Sequence, residues 1–383
     1  MRAEAVMNMI SEEALSFLCA ETKADYKVHK LKGSVLFKLL VYSLLTNRQV
    51  SLRVLETVFN SYHFKAACCL DAGEHTRFNS IRDRIATIPP IYFKKLFEYA
   101  VATYSHLLKE DEQRLIRYDS TMVAICGTLL HFDIKAGEKT DKRQVKFTIG
   151  YDGLLPCSAK IYTRKPYTSE NTALAELILE VSRSGDDIAV FDRGLQNRKK
   201  LCTMDASGIY FVTRLKTDAR MEVISCNKVR KSKQCAPSTV SMDSDCTVYL
   251  FDRTGKIRHP FRLIKARINK TSEAIWFLTN ITAMDAHQIA DIYKKRWDVE
   301  VFFKFIKQEL NLKHVLVRTV NGVEVMLYVT LITAMLLKVY QKLNKLKGYK
   351  ITKMRFAQEL EEDLIKHIVL LCGGDPTKMY HAP

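Results

Sequence analysis

Apolar positions recur at helical spacing from the start of the chain to about residue 110. SVLFKLLVYSLL (Ser34 to Leu45), SLRVLETVF (Ser51 to Phe59) and FNSIRDRIATI (Phe78 to Ile88) each predict a helix, with Ser51 placed to cap the second. A polar turn at Asp71 to Glu74 and the pair Pro89-Pro90 punctuate them, and Tyr92 to Leu108 predicts a further helix. At Arg114 the character changes. RLIRYDSTMVAICG, rich in β-branched and apolar residues, predicts a strand followed closely by a second. HFDIK and KRQVKFTIGYDG follow, and Asp152-Gly153 supplies a hairpin turn before LPCSAKIYT. Three antiparallel strands are the economical reading. Glu170 to Ser182 then has amphipathic helical spacing and is closed by Ser184-Gly185. DDIAVFDRG predicts a short apolar strand ending at Asp192-Arg193-Gly194, followed by a helix over Leu195 to Met204 and a strand over Ile209 to Lys216.

Three strands, helix, strand, helix, strand is the order of a ribonuclease H-like α/β fold, a mixed sheet with helices on both faces. Open sheets of this kind bind ligands beyond their strand ends. Thr217 to Asn269 then predicts short β segments, and AIWFLTN (Ala274 to Asn280) a further strand. Helices over Gly322 to Lys347 and Lys353 to Leu371, the latter stopped at Gly373-Gly374, close the chain. The expected organisation is a helical region over 1–110, the first part of the core over 111–216 and a β-rich basic insertion over 217–280. The second part of the core follows over 281–350, and a helical tail over 351–383.

Charge narrows the partner. The 383 residues carry a formal charge of +18, which points to a polyanion whose phosphates Lys and Arg can neutralise. Between residues 214 and 270 there are 14 Lys and Arg against 5 Asp and Glu, so half of the surplus lies in 57 residues. Lys231 and Lys233, in the run NKVRKSKQ, are candidate contacts to a nucleic-acid backbone. The helical first region carries Arg53, Arg77, Arg82 and Arg84 and reads as a DNA-binding module, a lid or a dimerisation unit. The apolar run Val325 to Leu337, broken by Thr330 and Thr333, is too short to span a bilayer. The acidic N-terminal segment does not resemble a signal peptide. Ten cysteines without a CxxC pair or disulfide-like spacing predict reduced thiols in a cytoplasmic protein. Cys226, Cys235, Cys246 and His259 match no common zinc-finger spacing.

One stretch resists a purely structural reading: YKKRWDVEVFFKFIK, Tyr293 to Lys307. On one continuous helix, Tyr293, Arg296, Glu300 and Lys307 share a stripe roughly 60° wide, with Lys304 beside it. Trp297, Val299, Val301, Phe302, Phe303, Phe305, Ile306 and Leu310 fill most of the remaining circumference, which predicts a largely buried helix. The polar stripe is either a row of surface ion pairs, Arg296 and Glu300 standing at i,i+4, or a metal-binding carboxylate beside groups that grip phosphate. Asp119 in the first strand and Asp192 at the end of the fourth supply two further carboxylates at strand ends. Phosphodiester chemistry uses two divalent ions about 4 Å apart, and Mg²⁺ takes few carboxylates with water and phosphate oxygens. Asp133, Asp152, Asp186 and Asp187 are rivals that read as turn or strand-edge residues.

With these residues in place, the chain resembles the DDE transposases of bacterial insertion sequences, specifically the family-four type marked by Y-(2)-R-(3)-E-(6)-K. Tyr293, Arg296, Glu300 and Lys307 match that YREK spacing; Asp119 in YDST and Asp192 in FDRG resemble the family's first two acids. LTN before the signature and the β-rich insertion are also marks of this branch, and the likeness covers about residues 30 to 345. The resemblance implies cut-and-paste transposition of an insertion sequence, with Asp119, Asp192 and Glu300 holding two Mg²⁺ ions, for which Mn²⁺ could substitute. It implies that Tyr293, Arg296 and Lys307 grip terminal phosphates and a flipped base. A tryptophan from the insertion would fill the gap, although Trp276 and Trp297 both sit in segments that read as core. Lys304, Arg193 and Arg214 are further candidate DNA contacts. The implied partners are the terminal inverted repeats and target DNA, met by a homodimer in the synaptic complex. The alternatives are a non-catalytic derivative that binds transposon ends, and a nuclease of the same fold. Tyr293 as a recombinase nucleophile fits poorly, because no suitable Arg-His set accompanies it.

Overall fold

A computed structural model describes residues 2–108, 114–125, 134, 143–227, 240–312 and 316–380. Seven helices come first: α1 (Ala3–Met7), α2 (Glu12–Glu21), α3 (Gly33–Thr46), α4 (Leu52–Asn60), α5 (Tyr62–Ala67), α6 (Phe78–Thr87) and α7 (Pro90–Leu108). The Ser51 hydroxyl accepts from the Val54 N–H, satisfying one of the amides that a helix start leaves open. Pro90 opens α7, where a missing N–H costs nothing.

The strands β1 (Arg114–Ile125), β2 (Arg143–Tyr151) and β3 (Pro156–Tyr162) form an antiparallel meander. Its β2–β3 turn is fixed by Gly153 at φ +104° and by the Asp152 carboxylate, which accepts from the Leu154 and Leu155 N–H groups. After α8 (Glu170–Val181), β4 (Asp187–Phe191) returns parallel to β1. After α9 (Arg198–Ala206), β5 (Tyr210–Leu215) lies parallel to β4. All five residues of β4 are buried, as expected of a parallel strand covered on both faces.

The segment that follows is not a separate body. Strands β6 (Met221–Asn227), β7 (Val240–Asp252), β8 (Gly255–Ile268) and β9 (Ala274–Thr279) are antiparallel neighbours, and β9 pairs with β5. Among the described residues a single nine-stranded sheet results, ordered β3-β2-β1-β4-β5-β9-β8-β7-β6. Helices α10 (Ala286–Lys294), α11 (Trp297–Glu309), α12 (Val320–Leu343) and α13 (Tyr349–Leu371) complete the chain.

Side-chain alternation divides the sheet's two faces. Val145, Phe147, Ile149 and Tyr151 join a core with α3, α7, α11 and α12. Ile116, Tyr118, Ala189, Phe191 and Phe211 pack under α8 and α9. Val190, Val212, Ile264 and Phe277 meet α10.

Three expectations from the sequence need correction. The apolar helix α12, at 24 residues, is long and apolar enough to cross a membrane, contrary to the shorter run read from sequence. It is instead a core helix, with 83% of its most apolar window buried, packed on α7, α3 and α6. Cys226 and Cys246 are not free thiols: they face each other across β6 and β7 and form a disulfide. Their sequence separation of 20 gave no hint, because strand register brings them together. The signature stretch is not one α-helix either. It breaks between α10 and α11, where Arg296 N–H donates to Tyr293 O and Asp298 N–H to Lys295 O in tighter i→i+3 turns. The break turns Trp297 outward to 61% exposure and leaves Val301 39% exposed, so neither belongs to the core.

Candidate active site

Along β1, alternation sends Ile116 and Tyr118 into the core under α8, while Arg117, Thr121 and Val123 meet α11, its approach or its neighbours. Asp119 shares that second face. Tyr118 stands beside Phe191 in the parallel β1–β4 pair. One residue further on, Asp119 and Asp192 therefore come level at the end of β4. Asp192 follows the buried Val190 on the face that meets α10, and Tyr293, in the last turn of α10, donates from its phenol to Asp192 Oδ1 at 3.0 Å.

Glu300, in the first turn of α11, faces this pair from the helix. Arg296 Nη2 donates to Glu300 Oε1 at 2.6 Å, and its guanidinium carbon lies 5.6 Å from the centre of the Tyr293 ring. The Arg296 Nε is buried and has no hydrogen-bond partner among the described residues. A groove of about 350 Å³ runs along the face, lined by Asp119, Ser120, Thr121, Glu300, Phe303, Lys304, Lys307 and Gln308. The Lys307 ammonium donates to the Thr121 hydroxyl across it.

Burial is the main reason that the Asp119 carboxyl is pushed up to about 7, and the charges of Glu170 and Glu300 push the same way. The Ser120 N–H, which donates to Asp119 Oδ1 at 2.8 Å, and the Arg296 charge pull it down. Burial also raises the Tyr293 phenol far above its ordinary range, against the opposing charges of Arg296 and Arg214. A buried carboxyl held up in this way is a seat for a cation. Among the described residues, however, no three His, Cys, Asp or Glu side chains converge into a closed cation cage. Asp192 and Glu300 are each held by an internal partner instead. The donors are hard carboxylate oxygens, the chemistry that Mg²⁺ and Mn²⁺ favour. They fit such an ion once Glu300 turns from Arg296.

The sequence-predicted residues thus fall into groups. Asp119, Glu300, Lys304 and Lys307 share the groove, and Asp192, Tyr293 and Arg296 adjoin it. Arg214 is half-buried on β5, close enough for its charge to act on Tyr293, and Arg193 is exposed in the turn after β4. Lys231 and Lys233 lie outside the described residues. The rivals separate cleanly. Asp152 caps its turn, and Asp187, 1% exposed, accepts from the Arg183 N–H. Asp133 lies outside the described residues.

Two residues escaped the sequence reading. Arg117 is 6% exposed and donates to the carbonyls of Lys295 (3.2 Å), Leu115 (2.8 Å) and Asp152 (2.5 Å), tying β1 to the α10–α11 break. Its signal was available, since it stands two residues before Asp119 on the same face of a strand. Glu170 opens α8, pairs with the buried Lys146 at 3.2 Å and packs on Gly194, where a Cβ would lie 2.9 Å from its carboxylate. A side chain at the glycine of the Asp-Arg-Gly turn would therefore press on Glu170 and make it shift.

Comparison with known proteins bears on the family of the chain. Residues 110–336 match the family described as "Transposase DDE domain". The chain is 25% identical over 268 residues to the transposase y4zB of Sinorhizobium fredii, covering 70% of this chain and 72% of that protein. It is 24% identical over 264 residues to a Synechocystis sp. transposase for insertion sequence element IS4SA, covering 68% and 70%. A solved synaptic complex of piggyBac transposase with hairpin DNA overlays with a TM-score of 0.49 at 12% identity, covering 96% of this chain and 82% of that one, too distant to assign any residue here. Since the matched segment spans the strands and helices that carry every described acid of the site, the chain belongs to the DDE transposase family.

Proposed function

We propose that this transposase excises and reinserts an insertion sequence by cut-and-paste chemistry at Asp119, Asp192 and Glu300. The observation that carries the assignment is the level placement of Asp119 and Asp192 on neighbouring strands, with Glu300 on the helix above and cations along the groove. The sheet order β3-β2-β1-β4-β5 supports reading this as a ribonuclease H-like core.

The three carboxylates would hold two divalent ions, Mg²⁺ or Mn²⁺ in its place. When bound, such ions polarise the scissile phosphate and lower the pKa of the attacking water. The chain's own residues do the rest. In the first step the water oxygen bonds to phosphorus at the transposon end and the 3′-oxygen leaves, taking a proton to become a hydroxyl. In the second, that 3′-hydroxyl attacks a phosphorus of the opposite strand or of the target, displacing another 3′-oxygen. No oxidant or nucleotide cofactor enters the balance.

Arg296 suits phosphate because its buried Nε still lacks an acceptor and a guanidinium can clamp two oxygens. Lys307 and Lys304 supply point charges along the groove, and Tyr293, 8% exposed and bonded through its phenol to Asp192, would support the site beside a flipped base. Trp297, exposed beside Arg296, is better placed than Trp276 to meet DNA. Arg193 and Arg214 would extend the backbone contacts beside the site, and Lys231 and Lys233 would add further ones. The substrate is double-stranded DNA at the terminal inverted repeats and at the target. Pairing two ends calls for a homodimer, and the reaction takes place on the bacterial chromosome in the cytoplasm.

The test is reconstitution. DNA bearing the inverted repeats that flank the reading frame, a target plasmid and Mg²⁺ should yield free 3′-hydroxyl ends and joined products with the purified chain. Tight binding to the repeats with neither product in Mg²⁺ or Mn²⁺ would favour the non-catalytic, end-binding derivative.

A further inference from the structure

Arg117 is a buried cation that the chemistry above does not use. It stands on β1 two residues before Asp119, on the same face, with its side chain 7% exposed. Burying a guanidinium is costly unless its donors are met, and here all three nitrogens are engaged. Nε donates to Lys295 O, Nη1 donates to Leu115 O and Asp152 O, and Nη2 lies 3.5 Å from Asp298 Oδ2. The β2–β3 turn closes over the group, since a Cβ at Gly153 would come within 2.6 Å of Nη1.

Lys295 O is the acceptor that matters most. In an unbroken α-helix it would accept from the Val299 N–H. At the break that N–H turns to Arg296 O at 3.2 Å, and the Asp298 N–H supplies Lys295 O at 3.1 Å instead. Arg117 Nε adds a second, charge-assisted bond to the same oxygen. Its positive charge also stands at the carbonyl end of α10, where the helix dipole favours a cation. On the other side of the break, Asp298 in the first turn of α11 faces the same guanidinium. One side chain thus ties the end of α10 and the start of α11 to the strand that carries Asp119.

We propose that Arg117 is a positioning residue for DNA cleavage. It holds the α10–α11 break so that Tyr293 reaches Asp192 from α10 while Glu300 faces Asp119 from α11. It acts through the backbone of the break, and the role rests on the reading that Asp119, Asp192 and Glu300 cut DNA.

The experiment compares the parent, Arg117→Met and Arg117→Lys as full chains, with Arg114→Gln as a control that removes a different arginine of β1. The first quantity is the rate of Mg²⁺-dependent nicking of a transposon-end duplex as the DNA is raised to saturation. Arg117→Met should lower the saturating rate about tenfold to a hundredfold and leave the half-saturating DNA concentration unchanged, the loss expected when a reacting group is displaced by about an ångström. Arg117→Lys keeps the charge but replaces the planar fork with a point donor, so its rate should fall between those of Arg117→Met and the parent. Arg114→Gln should cut like the parent. The second quantity is the fluorescence anisotropy of Trp297, which lies in the break, measured in a Trp276→Phe background without metal or DNA. It should fall in Arg117→Met, fall less in Arg117→Lys and hold in Arg114→Gln. If Arg117→Met does not fold, Arg117→Lys carries both readouts. A loss of cleavage that more DNA restores would make Arg117 a DNA contact and overturn the role. Unchanged Trp297 anisotropy in the folded variants would overturn it as well. Because the anisotropy needs no cleavage, a parent that fails to cut would count against the proposed function and leave the hold on the break tested by itself.

Discussion

The two halves of the nine-stranded sheet are built to different standards. From β3 to β5 the strands are sandwiched: β4 is buried throughout, with α8 and α9 below and α10 above. At the other end β6 is an edge strand with one neighbour, and six of its seven residues are exposed, Val223 at 50% and Ile224 at 45%. The candidate acids Asp119, Asp192 and Glu300 all stand in or over the sandwiched half, and the basic side chains Lys256, Arg258, Lys265 and Arg267 belong to β8 in the other half. Metal-assisted chemistry needs side chains held to fractions of an ångström by their surroundings. A backbone-binding surface needs only charge and reach. On the proposed function, the contrast would divide the sheet into a firmly held catalytic end and a more adaptable DNA-facing end.

The most forceful way to break that contrast is to empty the buried half. Phe191→Ala, one residue before Asp192, should cost about 3–5 kcal/mol of unfolding free energy in a denaturant titration, and equal stability would mean that β4 is not the keystone drawn here. Next in size is the pH dependence of the metal-free protein. The Asp119 carboxyl is held at about 7 in the folded chain against an ordinary 3.8. Since the raised value favours the protonated folded form, this contribution is complete below about pH 4 and lost as pH rises through about 7, a change of up to about 4 kcal/mol. Melting in a chelator should therefore show Asp119→Asn matching the parent at acidic pH and exceeding it at neutral pH, and added Mg²⁺ should narrow the gap. Parallel melting curves across that range would remove the buried-acid account. Tyr293→Phe, which deletes the donor to Asp192, should cost about 1 kcal/mol of stability and a larger factor in end cleavage, since the phenol is proposed to support the site. Smallest of all, Val223→Ala on the open edge should stay within about 0.5 kcal/mol of the parent; a loss comparable to that of Phe191→Ala would erase the distinction between the halves.

How much of this was legible depended on whether the signal was local. The α8 and β4 patterns, the Asp152-Gly153 turn and the Ser51 cap are written in neighbouring residues and match the fold closely. The positions of Asp119, Asp192 and Glu300 near one another follow from strand-end position and signature spacing, which need no knowledge of contacts. What escaped depends on distant partners. The break between α10 and α11 keeps right-handed helical backbone at Lys295 and Arg296, so a helical wheel passes over it, and Arg117 reaches it from 178 residues away. The disulfide is a matter of strand register, not spacing. Trp297 read as core because its neighbours are apolar, but the tighter turn rotates it into solvent. The β segment read as an insertion joins the main sheet through the β5–β9 pair, a contact that no local pattern announces.

The central claim is that Asp119, Asp192 and Glu300 act as one metal-holding set in DNA cleavage. Its most direct test is Mg²⁺-dependent nicking of a labelled transposon-end duplex by Asp119→Asn, Asp192→Asn and Glu300→Gln, each at a protein concentration that saturates the duplex. The account predicts that each variant binds the end like the parent and loses cleavage by a factor on the order of a thousand or more. Cleavage at the parent rate in all three would contradict it.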